Sequence, residues 1–244
     1  MARLLVTRPE PDAGETVRRL EALGIEGVAA PLLERAALHV GLPAADGFAG
    51  IALTSANALR ALSERGALEP YLGLRVFAVG EKTAETARQL GFLDVMNAGG
   101  SVQHLVEAIA RAQPAAPIFY PAARHQSADL AQALASFGVT IVPARVYEMR
   151  AASSLPRPIL AGLGDRSLIA ALFYSRRTAE TFVSLTATAL PREARARLGV
   201  LCLSEHVAEP LVDAHFVRAS LAEQPSEDAM MALALAFVRD QNTA

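Results

Sequence analysis

What most narrows the possible folds of this chain is that its two halves carry the same order of elements over about a hundred residues. Residues 3–34 read as a strand, an Arg-bearing turn, a helix ending in Leu23-Gly24, and then Val28 and Glu34. Residues 117–148 repeat that pattern at one constant offset, with Phe137-Gly138, Val142 and Glu148. Further on, ALTSANALRAL (52–62) returns as LFYSRRTAETF (172–182), and VFAVGEKTAETA (76–87) returns as LCLSEHVAEPLV (201–212). Ala-Gly-Gly-Ser101 is answered by Glu-Gln-Pro-Ser226. A tandem duplication of one unit explains this order and predicts two similar domains facing each other across a cleft. One large sheet is the alternative.

Within each repeat, short apolar β-rich runs alternate with segments of helical period. Strands are expected near 3–6, 27–30, 50–53, 75–79, 117–120, 139–142, 168–173, 199–203 and 215–218. Alternation of this kind gives an α/β fold of parallel sheets flanked by helices. Asp12 is expected as N-cap of the first helix, with Glu15 three residues on and Gly24 as terminator. Ser101 and Ser226 should open two later helices.

A length of 244 residues suits one or two domains with cores large enough to need neither disulfides nor metals. Half of the residues are apolar, a fifth are charged, and the net charge is −2, so no extended basic tail offers itself to nucleic acid. The single cysteine, Cys202, lies in an apolar run and reads as a buried, inert thiol. The chain contains no apolar stretch long enough for a signal peptide or a spanning helix, so no membrane association and a cytoplasmic location are expected. A monomer is expected, because no helix carries a coiled-coil pattern.

Chemistry in such sheets concentrates where strands end and helices begin, since helix-start amides and the helix dipole favour anions there. Here those turns repeatedly carry hydroxyls and cations: Thr7-Arg8, Thr54-Ser55-Ala56-Asn57, Gly80-Glu81-Lys82-Thr83, Arg124-His125, Ser175-Arg176-Arg177-Thr178 and Ser204-Glu205-His206. The set suits a ligand with several carboxylates or phosphates, although Ser, Thr and Asn also serve simply as N-caps. No dinucleotide fingerprint, Walker A, zinc-protease helix or nucleophile elbow occurs. The five histidines show no metal-ligand spacing, and only His206 sits in a strand-to-helix turn. Glu34 and Glu148 read as solvated strand-end acids.

Taken in order, LLVTRP, ALTSANAL (52–59), VFAVGEKTAETARQLGF (76–92), FGVTIVPARVYEM (137–149), LFYSRRTAETF and the weaker LCLSEHVAEPL carry a resemblance that runs nearly end to end. The chain resembles the uroporphyrinogen-III synthase family. That resemblance implies a discontinuous first domain (1–35 plus 153–244), a second domain (40–148), and two extended linker segments (34–42 and 147–155), with a hinge free to open for a bulky substrate. Residues alone would place the boundary near 115. It further implies dehydrating cyclisation of hydroxymethylbilane, a linear tetrapyrrole with eight carboxylates, with inversion of ring D through a spiro intermediate. No cofactor or metal is implied, and transient contact with hydroxymethylbilane synthase is.

Carried over residue by residue, the family's candidate proton donor falls on Tyr147. Thr54, Ser55 and Asn57 match its Thr-Ser turn, Thr83 its Gly-x-x-Thr-Ala turn with Lys82 beside it, and Ser175 the related serine of the other domain. Thr7, Arg8, Arg124, Ser204 and His206 complete the expected substrate-binding set from the turns. Two departures stand out: His206-Val207 replaces a family threonine, and the usual Gly-Arg turn reads Ala122-Ala123-Arg124-His125-Gln126. They leave open a non-catalytic tetrapyrrole or small-anion binder or sensor built on the same fold.

Overall fold

In the computed structural model, residues 2–125 and 129–243 are described. In chain order the elements are β1 (Arg3–Val6), α1 (Asp12–Ala22), β2 (Glu26–Ala29), β3 (Leu33–Ala37), β4 (Gly50–Leu53), α2 (Ala56–Glu64), β5 (Arg75–Ala78), α3 (Glu81–Gln89), β6 (Val95–Asn97), α4 (Val102–Ala112) and β7 (Ile118–Ala123). Then follow α5 (Leu130–Ala135), β8 (Ile141–Ala151), α6 (Arg157–Gly164), β9 (Ala170–Phe173), α7 (Arg176–Thr186), α8 (Arg192–Arg197), β10 (Gly199–Cys202), α9 (Glu205–Asp213), β11 (Arg218–Leu221) and α10 (Glu227–Thr243). These form an α/β architecture of two compact units, one of residues 1–34 with 150–244 and the other of 35–149. Residue 115, where the internal repeat restarts, falls inside the second unit.

In the first unit the sheet runs β11-β10-β9-β1-β2, and all four pairings are parallel. Leu4 and Val6 face one core with Leu172, Leu201 and Met230, while Leu5 faces another with Phe173, Phe182, Val200 and Phe216. Helices cover both faces, so the strand interiors are apolar at every position and read as continuous runs. In the second unit the order is β3-β8-β7-β4-β5-β6. Alternation again splits neighbours: Ile51, Leu53 and Phe119 go to one face, and Ala52, Ile118 and Tyr120 to the other.

Local signals explain most element ends. The Ser101 hydroxyl accepts from the His104 N–H at 3.1 Å, and the Ser226 hydroxyl from the Ala229 N–H at 3.2 Å, as capping serines should. After α1, Gly24 adopts φ +75° while its N–H donates to the Glu21 carbonyl and that of Ile25 to the Leu20 carbonyl. This is the paired pattern that ends a helix in a left-handed residue.

Several expectations are corrected. Asp12 is the first helical residue rather than the N-cap, which is Pro11; the Asp12 carboxylate instead meets Arg8 at 3.0 Å. The last strand occupies 218–221 and not 215–218, because Phe216 is fully buried as the anchor of the turn after α9, where His215 has φ +68°. β3 and β6 were not expected. β3 is half-buried and polar, and β6 has three residues, so neither shows an apolar run. Parts of both expected linker segments are strands: β3 neighbours β8 in the sheet, and β8 continues to Ala151.

Candidate functional site

In the second unit, the end of β4 delivers Thr54 and Ser55 directly into the start of α2. Ser55 is its N-cap, and the Asn57 N–H donates to Ser55 Oγ at 3.2 Å. The Asn57 side-chain oxygen accepts from Arg60 at 3.2 Å. Alternation sends Thr54 and Ser55 to opposite faces of the sheet, and each meets a phenol there. Thr54 Oγ1 lies 3.1 Å from the hydroxyl of Tyr120, which is 3% exposed, and Ser55 is hydrogen-bonded to Tyr147, which is 6% exposed. Four hydroxyls thus gather at one end of this sheet.

Tyr147 owes its setting to an irregularity in β8. The register with β7 shifts between Ala122↔Arg145 and Ala123↔Tyr147, which leaves Val146 as the extra residue of a bulge. A regular strand alternates, yet Val146, Tyr147 and Glu148 are all buried in succession. Bulges re-aim side chains in this way and are frequent beside functional sites. The bulge is held from both sides: the Arg124 N–H donates to the Tyr147 carbonyl at 2.8 Å, and the Leu38 N–H to the Val146 carbonyl at 2.8 Å.

Burial pushes the Tyr147 hydroxyl above the usual phenol pKa, while Ser55 and the Arg35 charge act in the opposite direction. Tyr120 is raised for the same main reason, opposed by Thr54. Glu148, expected as a solvated acid, is 8% exposed and paired with Arg124 at 2.7 Å. Its neighbour across the repeat, Glu34, is exposed. On the adjacent turn Gly80 precedes α3, Thr83 is buried and its N–H donates to the Gly80 carbonyl at 3.1 Å, and Lys82 is exposed.

In the first unit the corresponding turns are more occupied by internal bonds. The Thr7 hydroxyl is fully buried and donates to the Leu172 carbonyl at 2.6 Å, tying β1 to β9. Arg8 is held by Asp12 and Glu227, donates to Thr16 at 3.2 Å, and lies 4.1 Å from the centre of the Tyr174 ring. Tyr174 and Thr16 donate to the same Glu227 oxygen at 3.1 and 2.8 Å. Burial, with the Glu227 charge, raises the Tyr174 pKa strongly. Ser175 caps α7 by accepting from the Thr178 N–H at 3.2 Å. Ser204 stands at the start of α9 without a side-chain capping bond. The His206 ring is 71% exposed, with Nδ1 3.3 Å from Arg176 and 3.8 Å from Glu209.

The structure therefore brings Thr54, Ser55, Asn57 and Tyr147 together, with Arg124 bound to the Tyr147 backbone. Thr7 and Arg8 have their side-chain bonds directed into the first unit. Tyr120 and Tyr174 are not singled out by the sequence, and Glu148 is read there as a solvated acid. Tyr174 could have been singled out, since it occupies the position that matches Thr54 in the internal repeat, whereas Tyr120 is hidden inside an apolar run. Gln126, at the end of the 120s turn, lies outside the described residues.

Fold and turns define a duplicated α/β protein whose polar residues gather where parallel strands give way to helix N-termini. A family model described as "HEM4: Uroporphyrinogen-III synthase HemD" matches residues 14–232, so the chain belongs to the uroporphyrinogen-III synthase family. It is 28% identical over 216 residues to the uroporphyrinogen-III synthase of Synechococcus elongatus, which covers 82% of this chain and 81% of that protein. The crystal structure of uroporphyrinogen-III synthetase from Helicobacter pylori aligns with TM-score 0.68 at 19% identity, covering 97% of this chain and 100% of that one. A mutant uroporphyrinogen III synthase from Thermus thermophilus aligns with TM-score 0.52 at 18% identity over 100% of both chains. At these identities the solved structures speak to the fold.

Proposed function

We propose that this protein is a uroporphyrinogen-III synthase, a hydro-lyase of tetrapyrrole biosynthesis that closes hydroxymethylbilane to uroporphyrinogen III with inversion of ring D through a spiro intermediate. Family membership supports the reaction, and the observation that carries the mechanism is the buried Tyr147 phenol hydrogen-bonded to Ser55 at the start of α2. Loss of the substrate hydroxyl as water requires a proton. Tyr147 supplies it: burial keeps the phenol protonated at neutral pH, and the Ser55 hydrogen bond and Arg35 charge favour the phenolate left after transfer.

The remaining work is orientation. A flexible octa-acid must be folded so that the substituted carbon of ring D meets the ring A cation, and such positioning lowers a barrier by several kcal/mol. Thr54, Asn57, Lys82, Thr83 and Arg124 in the second unit, and Ser175, Ser204 and His206 in the first, are proposed to receive the acetate and propionate groups beside helix N-termini. Arg8 and Thr7 are proposed to shape the first-unit turn rather than to reach the substrate, since Arg8 already neutralises Asp12 and Glu227. A monomer acting in the cytoplasm, receiving its unstable substrate from hydroxymethylbilane synthase, completes the proposal. No helix among the described residues is long and apolar enough to cross a membrane.

The test is the rate at which freshly prepared hydroxymethylbilane disappears. The purified protein should accelerate its loss in proportion to enzyme concentration. A rate equal to that of buffer alone would refute the proposal.

A further inference from the structure

The opposite end of the first-unit sheet, where its strands begin, holds a cavity of about 200 Å³ that the proposed cyclisation does not use. Its apolar wall is Leu163, Leu168 and Leu198, all buried in the core of that unit. Its rim is Arg166, Arg197 and Arg218, contributed by the turn after α6, the last residue of α8 and the first residue of β11. Three separate segments thus converge on one small opening. Among the described residues none of the three guanidinium groups forms an ion pair. Arg218 donates to the Arg197 carbonyl at 3.1 Å and lies 5.4 Å from the centre of the Phe237 ring, so its place is fixed by neutral partners.

Several other arginines of this unit are matched with acids, Arg3 with Glu26, Arg8 with Asp12 and Glu227, Arg19 with Asp228, Arg176 with Glu180 and Glu209, while Arg195 donates to backbone carbonyls. Three unmatched cations around one concavity leave a local positive field on a chain of net charge −2. Arg166 is in the left-handed region, with φ +70°, a conformation that glycine adopts without cost and a long side chain does not. Guanidinium groups bind phosphate and carboxylate oxygens in a planar, two-point manner. An apolar wall beneath them adds a place for a hydrocarbon body. Organic ligands are held by this combination of apolar lining and a few directed polar groups.

We propose that this cavity binds a small organic anion, a phosphate monoester or carboxylate with a compact apolar body, at a site separate from the polar turns at the strand C-termini. Being at the other end of the sheet, the site is suited to a ligand that is neither substrate nor product of the cyclisation.

The experiment is calorimetric titration of the full-length protein with phenyl phosphate, phthalate, inorganic phosphate and, as a neutral control, phenol. Phenyl phosphate or phthalate should bind with a dissociation constant at or below about 1 mM and more tightly than inorganic phosphate, and phenol should not bind in that range. The ranking of the two organic probes distinguishes a phosphate ligand from a carboxylate one. Arg166→Gly removes one cation and also relieves the left-handed backbone, so it should weaken binding about tenfold without lowering Tm. Arg197→Gln should weaken binding similarly. Binding of neither organic anion, or binding that both variants leave unchanged, would overturn the proposal. So would equal affinity for inorganic phosphate, which would leave the apolar wall without a role. A mere helix-end charge effect would instead lower Tm in Arg197→Gln with no change in anion affinity.

Discussion

At the scale of single residues, the four tyrosines share one physical condition. Tyr71, Tyr120, Tyr147 and Tyr174 are the only tyrosines in the chain, and desolvation raises the pKa of every one. A phenol whose folded pKa exceeds its unfolded value contributes stability that is complete below the unfolded pKa of about 10 and is lost as pH rises through the folded value. Ultraviolet titration of the native protein should therefore show less phenolate at about pH 10 than the same chain unfolded in denaturant. A native tyrosine titrating at or below the usual value would contradict the burial described here. For Tyr147 the same condition keeps the proposed donor charged with its proton throughout the neutral range. Tyr147→Phe removes that proton and leaves the ring's packing in place. Steady-state kinetics should show kcat lower by about 10²- to 10⁴-fold, the usual contribution of general acid catalysis, with KM changed little. Unchanged kcat would remove Tyr147 from the mechanism.

Elements show where sequence pattern is sufficient and where tertiary structure overrides it. Capping serines at 101 and 226 and the left-handed Gly24 are local chemistry, so their positions were readable directly. Runs such as Leu4-Leu5-Val6 and Ile51-Ala52-Leu53 were readable as strands because burial on both faces demands apolar residues throughout. β3 gave no such signal, since Leu33-Glu34-Arg35-Ala36-Ala37 is covered only in part. Asp12 misleads because Arg8, four residues earlier and itself tied to the remote Glu227, binds the carboxylate that would otherwise cap α1. Glu148 misled for a related reason: the bulge in β8 turns three successive side chains inward, and no single-sequence period announces a bulge. Close approach of strands is also invisible in the pattern. A Cβ added at Gly50, the first residue of β4, would lie 2.7 Å from the Arg75 carbonyl and 3.0 Å from the Phe77 ring. Because the nearer atom is backbone, Gly50→Ala should cost about 1–3 kcal/mol, seen as a lower denaturation midpoint at unchanged m-value. An unaltered midpoint would show that β4 and β5 can move apart freely.

For the whole molecule, duplication accounts for two sheets built alike, each parallel in its core and covered by helices on both faces. Similar turns do not imply similar use. In the second unit the turn after β4 presents hydroxyls that meet two phenols, whereas in the first unit the matching position is itself a phenol, Tyr174, bound to Glu227. That difference involves three substitutions between the repeats: Thr54 against Tyr174, Tyr120 against Val6, and Tyr147 against Leu33. A chain of net charge −2 is proposed to bind an octa-anion, which is physically reasonable only if attraction is local, through helix-start amides, hydroxyls and a few cations. Cys202 takes no part in any of this, for burial pushes its thiol up to about 12 and keeps it unreactive. The central claim is that this chain closes the macrocycle with ring D inverted, and the identity of the product isomer tests it most directly. Freshly made hydroxymethylbilane is given to the protein, the products are oxidised to porphyrins, and type I and type III isomers are separated and counted. Uncatalysed closure gives type I. A type III excess that grows with protein concentration is the expected result; type I alone, from folded protein and fresh substrate, would contradict it.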